Sequence, residues 1–184
     1  MLNFKIPASM EDFAAMSRIH AQGWRTTYPE DVPADYMEEV ITDDHWTEQF
    51  HKEQASGKGH CLMLCRDDVP VSCLTYGAVR VGTVSVQSLP HTISAQGYEG
   101  WGEILTFYSD PKETGKGYGG LLLEEALNRL REEGYSNVYV FVLDKNERSR
   151  AFYERHGFRW DGTWEDIPFP HGYICRDLRY VREL

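Results

Sequence analysis

The spacing of apolar positions changes several times along the chain. Residues 2–6, Leu-Asn-Phe-Lys-Ile, alternate and predict a short strand ended by Pro7. Phe13, Met16, Ile19 and His20 then recur at helical spacing. Ser9 is placed as N-cap with Asp12 three residues on, close to a capping box, so a helix is predicted over 10–23, broken by Tyr28-Pro29 and Pro33. Two more helical pieces are predicted over 34–41 and 43–55, the second capped by Thr42, with Trp46 and Phe50 one turn apart. Gly57 and Gly59 close the helical part. Runs over 60–66 and 71–80 flank Asp67-Asp68-Val69-Pro70 and predict a hairpin. Over 81–98 the pattern weakens: Val81, Thr83, Val84, Ser85 and Val86 suit a strand, whereas Pro90 to Gly100 reads as loop.

Period two returns in Trp101–Ser109, with Gly102, Ile104, Thr106 and Tyr108 on one face and Glu103, Leu105 and Phe107 on the other. Asp110-Pro111 stops this strand. Leu121, Leu122, Ala126, Leu127 and Leu130 mark a strongly amphipathic helix closed by Gly134. The continuous apolar run 137–143 predicts a central buried strand. A short helix follows in DKNERSRAFYERHGF, ending at Gly157, and 158–164 with 172–181 form a final hairpin. The order predicts an α+β (mixed α/β) fold, a mixed sheet with helices on its faces. No repeat and no Ser/Gly/Pro-rich linker divides it, so 1–184 is read as a single domain.

Charge and cysteine usage narrow the partners. The 184 residues carry a net charge of −10, which disfavours nonspecific DNA or RNA binding and suits small neutral or cationic partners. No apolar run approaches the ~18 residues of a membrane helix, and the first residues lack a signal peptide's apolar core, so a cytoplasmic location is expected. Cys61, Cys65, Cys73 and Cys175 form no CxxC, and no His pair has zinc-ligand spacing; reduced strand cysteines and no metal are expected.

The densest chemical signal is Gly115-Lys116-Gly117-Tyr118-Gly119-Gly120 at the head of a long helix. Glycines let the backbone approach an anion closely, and a helix N-terminus presents free N–H groups and partial positive charge. Together they predict a pyrophosphate cradle. Gly115, Gly117 and Gly120 also fit a dinucleotide fingerprint, with Asp144 near the end of the next strand. Against a dinucleotide fold, residues 110–114 separate the strand from the first glycine, and the preceding elements do not alternate as βαβ.

The segments GEILTFYSDP, ETGKGYGGLLLEEAL and NERSRAFYERHGF, in that order between Trp101 and Phe158, resemble the GNAT superfamily of acyl-CoA-dependent N-acetyltransferases. One departure is Thr114, which stands where the family usually has Gln or Arg. The resemblance implies a central mixed sheet in which two parallel strands, 101–109 and 137–143, splay apart around acetyl-CoA, the cosubstrate, with no metal. It assigns pantetheine contacts to the main chain of Phe107, Tyr108 and Ser109, with the Phe107 N–H facing the thioester oxygen. It assigns the diphosphate to Thr114, Gly115, Lys116, Gly117, Tyr118, Gly119 and Gly120, and a helix cap that reaches the cofactor arm to Asn146. Tyr153 matches the family's general acid, and Glu103 stands where several members carry a carboxylate base. The implied reaction is acetyl transfer to a primary amine of a small molecule or peptide by direct attack in a ternary complex. The alternative left open is a non-catalytic acyl-CoA-binding sensor or regulatory module.

For the acceptor, residues 29–53 hold nine acids (Glu30, Asp31, Asp35, Glu38, Glu39, Asp43, Asp44, Glu48, Glu53) against one base, Lys52, which suits a cationic amine or a solvated helix face. Trp24, Tyr28, Tyr36 and Trp46 suit stacking on that acceptor or core packing. His20, His45 and His51 read as surface or packing residues. Neither nucleic acid nor membrane is an expected partner, and a homodimer through a sheet edge or the C-terminal hairpin is compatible with the pattern.

Overall fold

The computed structural model describes residues 1–28, 30–80, 82–86, 89–93 and 97–184, with 82–86 and 89–93 as backbone. The chain runs β1 (Leu2–Lys5), α1 (Met10–Thr27), α2 (Ala34–Glu39), α3 (Thr47–Ser56), β2 (Gly59–Arg66), β3 (Val69–Ala78), β4 (Gly82–Val86), β5 (Leu89–Ile93), β6 (Gly102–Ser109), α4 (Tyr118–Glu132), β7 (Asn137–Leu143), α5 (Glu147–Arg155), β8 (Arg159–Pro168) and β9 (Ile174–Glu183). Seven strands form one mixed sheet in the order β1-β2-β3-β6-β7-β9-β8.

Local chemistry explains where the helices begin and end. The Ser9 hydroxyl accepts from the Asp12 N–H at 3.2 Å while the Asp12 carboxylate accepts from the Ser9 N–H at 3.3 Å, completing the capping box of α1. This helix passes the predicted end at 23 and runs to Thr27; Gly23 is a point of close approach within it, where a Cβ would lie 2.2 Å from the Tyr108 ring. The predicted 43–55 helix starts later, at Thr47, with Trp46 in the cap position. Thr42 does not cap it; its hydroxyl donates to Asp44 Oδ1 at 2.7 Å and the chain turns before the helix begins.

Two buried clusters lie on opposite faces of the sheet, and the alternation of β2 divides its side chains between them. Leu62 and Leu64 join Leu122, Leu123, Leu127 and Leu130 of α4 on one face. Cys61, Met63 and Cys65 join Phe13, Met16, Ile19 and Phe50 on the other. All four cysteines are free and buried, and burial pushes the Cys61 thiol up to about 12.

Strand β6 departs from the predicted alternation. Thr106 pairs with Thr75 but Ile104 pairs with Tyr76, so Leu105 is an extra residue bulged out of the β3–β6 ladder. The bulge inverts the parity of everything after it. Ile104 and Phe107 therefore pack on the α4 face, while Tyr108 packs on the α1 face. The predicted grouping of Ile104 with Tyr108 is corrected accordingly.

The same place ends the parallel pairing with β7. Gly102, Glu103 and Ile104 pair with Val138, Tyr139 and Val140, and no pairing between β6 and β7 follows among the described residues. Strand β9 lies between β7 and β8, so the C-terminal hairpin, paired over 159–168 and 174–183, inserts its second arm beside β7. Part of the stretch expected as loop is paired: Gly82–Val86 runs antiparallel to Leu89–Ile93 as a separate two-stranded ribbon. The strand expectation for Val81 and the loop expectation for 94–96 lie outside the described residues.

Candidate active site

A cleft of about 2730 Å³ opens where β6 and β7 part. One wall is the main chain and side chains of 105–109, the other is 140–143, and the head of α4 contributes Thr114, Gly115 and residues 117–121. Asn146 and Tyr153 also line it. The structure thus gathers in one place the predicted cofactor residues Phe107, Tyr108, Ser109, Thr114, Gly115, Gly117, Tyr118, Gly119, Gly120 and Asn146.

The glycines do distinct jobs. Gly115 and Gly117 have φ of +83° and +82°, conformations that L side chains rarely adopt. Gly117 is the N-cap of α4 and supplies no side-chain cap, and no acidic residue lies in the first turn. The leading N–H groups and the positive end of the helix dipole therefore stay available to an anion. A Cβ on Gly120 would lie 3.1 Å from the His156 ring, so this glycine lets α4 begin close against the end of α5.

The loop is ordered without a long side chain at 114. The Thr114 hydroxyl donates to the Pro111 carbonyl at 2.9 Å. Glu113 accepts from Lys116 at 2.9 Å and from Arg66 at 2.7 Å. The Lys116 hydrogen bond and the nearby Arg66 guanidinium hold the Glu113 carboxyl below its ordinary value. Lys116, expected among the diphosphate residues, is thus tied to Glu113 and is absent from the cleft lining.

Tyr153 and Asn146 are set by α5. The Asn146 side chain accepts from the Ser149 N–H at 3.0 Å, capping the helix and leaving its amide N–H₂ for other partners. Tyr153 is buried, with its ring 6.4 Å from that of Phe107 and 5.4 Å from that of Phe158. Burial, with Tyr108 adding to it, pushes the phenol well above its ordinary value. It is protonated at neutral pH and is a hydrogen-bond donor.

Glu103 is placed elsewhere. It is only 1% exposed, lies on the paired part of β6 and does not line the cleft. The Arg80 Nε–H lies 3.1 Å from both carboxylate oxygens, the Arg80 backbone N–H donates to Oε2 at 3.1 Å, and the Tyr139 hydroxyl donates to Oε2 at 3.4 Å. Its oxygens are saturated by this neighbourhood.

A different carboxylate reaches the cleft, one that the spacing of motifs did not single out. Asp177 of β9 pairs in register with Leu143, the last residue of β7, and lines the cleft. Its Oδ1 is closed off from solvent and has no hydrogen-bond partner among the described residues. Burial, with Glu165 and Asp144 adding to it, pushes its carboxyl up to about 7. The signal available in the sequence was an acid on the same face of β9 as the buried Cys175.

The acceptor-side residues divide. Trp24, Tyr28, Tyr36 and Trp46 line the cleft and also pack into the clusters around α1 and Val32. His20 is sandwiched between Trp46, at 4.0 Å, and Tyr108, at 4.3 Å, and accepts from the Trp24 indole at 3.0 Å. Burial pulls it down to about 3, so it is a neutral packing residue. Of the nine acids, Glu30, Asp31, Glu48 and Glu53 line the cleft, with Asp31 paired there to Lys145. Asp35 and Asp43 pair with His171 and Arg25 at the surface, and Asp44 accepts from Thr42. Among the described residues no helix is long and apolar enough to cross a membrane, and no three His, Cys, Asp or Glu side chains cluster to hold a metal.

Comparison with known proteins agrees with this architecture. A spermidine N(1)-acetyltransferase of Thermoplasma acidophilum is 24% identical over 155 residues, covering 84% of this chain and 87% of the relative. An uncharacterized N-acetyltransferase of Bacillus subtilis, YuaI, is 26% identical over 152 residues, 81% of this chain and 76% of the relative. Mycothiol acetyltransferase of Beutenbergia cavernae is 42% identical over a shorter stretch of 57 residues, 31% of this chain and 19% of the relative. Among solved structures, PaiA N-acetyltransferase of Thermoplasma acidophilum in complex with coenzyme A superposes with a TM-score of 0.73 at 19% identity, covering 100% of this chain and 99% of the other. Residues 20–158 match the model of the Acetyltransferase (GNAT) family. On that match, and on the splayed sheet that accompanies it, the chain belongs to the GNAT family and is an acyltransferase enzyme.

Proposed function

We propose that the protein transfers the acetyl group of acetyl-CoA to a primary amine of a small cationic molecule, by direct attack in a ternary complex. The observation that carries this is the parting of β6 from β7 after Ile104, which leaves the edge of 105–109 facing a cleft that begins at an uncapped helix head and includes Tyr153. The diphosphate lies against the N–H groups of 117–120. The pantetheine arm takes the place of the missing strand partner along Phe107, Tyr108 and Ser109. The Phe107 N–H donates to the thioester oxygen as it gains charge, an interaction worth ~3 kcal/mol in comparable sites.

Tyr153 donates its phenolic hydrogen to the departing sulfur. A thiol near pKa ~8.5 is a stronger acid than this phenol, so the tyrosine assists mainly by hydrogen bonding. The acidic residues on the acceptor wall favour an amine that carries positive charge, and the similarity to a relative named for spermidine supports that class. The test is free-thiol release from acetyl-CoA with a panel of alkyl amines. Amine-dependent release is the expected result, reduced roughly tenfold to a hundredfold in Tyr153→Phe with coenzyme binding retained. Release that is independent of amine, or unchanged in Tyr153→Phe, contradicts the assignment.

A further inference from the structure

A primary alkyl amine is protonated at neutral pH, with only about one part in 10³ neutral at a pKa near ~10.4. Attack on a thioester therefore needs a group that takes a proton from the ammonium where the acetyl group waits. Glu103 is badly placed for that task, because its oxygens are held by Arg80 and Tyr139 and it does not itself line the cleft.

We propose that Asp177 is the general base of the acceptor site, removing one proton from the substrate ammonium that enters the cleft it lines. The inference rests on the acetyltransferase reading of the same cleft. Three features of the structure support it. Asp177 stands opposite Leu143, at the open end of the sheet where β7 has left β6, so it shares the cleft with Phe107 and Tyr153. Its Oδ1 is sealed from solvent without a hydrogen bond among the described residues, a cost that calls for an explanation. The charged groups that act on it are both negative: Glu165, its cross-strand neighbour on β8, and Asp144, just beyond β7. The other titratable groups facing it are Tyr28 after α1, Tyr108 on β6 and Cys175 on β9, all held neutral by burial at pH 7. An incoming ammonium would relieve that repulsion, and its own desolvation then favours a neutral amine beside a neutral carboxylic acid.

The ammonium gives one proton to the Asp177 carboxylate. The freed nitrogen pair forms the C–N bond to the thioester carbonyl carbon, and the C–S bond breaks as the tetrahedral intermediate collapses. The nitrogen's second proton passes to the departing sulfur by way of the Tyr153 phenol, which hydrogen-bonds that sulfur and ends protonated as it began. One hydrogen stays on the amide, and Asp177 returns its proton to solvent.

Two acceptors and two variants test this. With an alkyl amine, kcat/KM of the wild type rises as Asp177 ionises near pH 7. In Asp177→Asn that limb is expected to vanish, leaving the dependence set by the amine's own ionisation, with kcat/KM at pH 7 reduced about 10²-fold or more. With aniline, an aryl amine already neutral at that pH, the same variant should lose less than about fivefold, since no proton needs removal before attack. Asp177→Glu should restore part of the limb. Coenzyme A binding by calorimetry should match the wild type in both variants. Equal losses for the two amines, or a limb near 7 that persists in Asp177→Asn, overturn the inference while leaving acetyl transfer intact. Wild-type protein that binds the coenzyme and releases no thiol with any amine overturns the transferase reading and the inference with it.

Discussion

Strands β6 and β7 have a closed end and an open end, and each end holds a carboxylate. At the closed end Gly102–Ile104 pair with Val138–Val140, and Glu103 is locked by Arg80 and Tyr139. At the open end the strands have parted, and Asp177 keeps a sealed oxygen without a hydrogen-bond partner among the described residues. Both residues are acids on strands of one sheet, yet one is fully engaged by its neighbours and the other keeps an oxygen without a hydrogen bond among the described residues. The difference lies in what the sheet can satisfy. Where the ladder is complete, polar groups are used up by the protein itself. Where it is interrupted, main-chain and side-chain groups remain to be filled by ligands.

The comparison breaks most visibly in activity. Asp177→Asn should cost 10²-fold or more in kcat/KM toward an alkyl amine, whereas Glu103→Gln should leave turnover per folded molecule within about threefold of wild type. If Glu103→Gln abolishes turnover at full folded fraction, the assignment of roles to the two ends is reversed.

In stability the two variants should move in opposite directions. Glu103→Gln removes the partner of Arg80, whose side chain is 39% exposed and so retains some hydration. A loss of about 2 kcal/mol is expected, below the range for a fully buried pair. Asp177 has its carboxyl raised to about 7 from an ordinary 3.8. The folded state then binds the extra proton between those values, so its stability falls as pH rises through that window. Asp177→Asn should therefore unfold about 1–3 kcal/mol harder than wild type at pH 8, with the difference gone near pH 4. Urea titrations at the two pH values measure both effects.

Much of this contrast was invisible along the chain. The cradle, α4 and the AFYERHGF helix are contiguous motifs, and Ser9 with Asp12 announces α1 locally, so these were legible. The bulge at Leu105 was not, because it is a property of the β3–β6 pairing; a strict period of two placed Ile104 with Tyr108, whereas the extra residue puts them on opposite faces. Glu103 was singled out by its place in a motif, and only the packed structure brings Arg80 onto it. Asp177 reaches the cleft because β9 inserts between β7 and β8, a long-range choice that no local spacing encodes.

A smaller effect sharpens the account at the head of α4. Gly117→Val forces a β-branched residue into a φ of +82° at the helix cap. Local strain of ~1–2 kcal/mol is expected, with coenzyme binding weakened about tenfold and the sheet unaffected.

The most direct measurement is a calorimetric titration of acetyl-CoA into the folded wild-type protein and into Gly117→Val. One molecule bound per chain, with weaker binding in the variant, is the predicted result. Absence of heat in the wild type, with circular dichroism showing native structure, would contradict the claim that the parted strands and the glycine-capped helix seat the coenzyme.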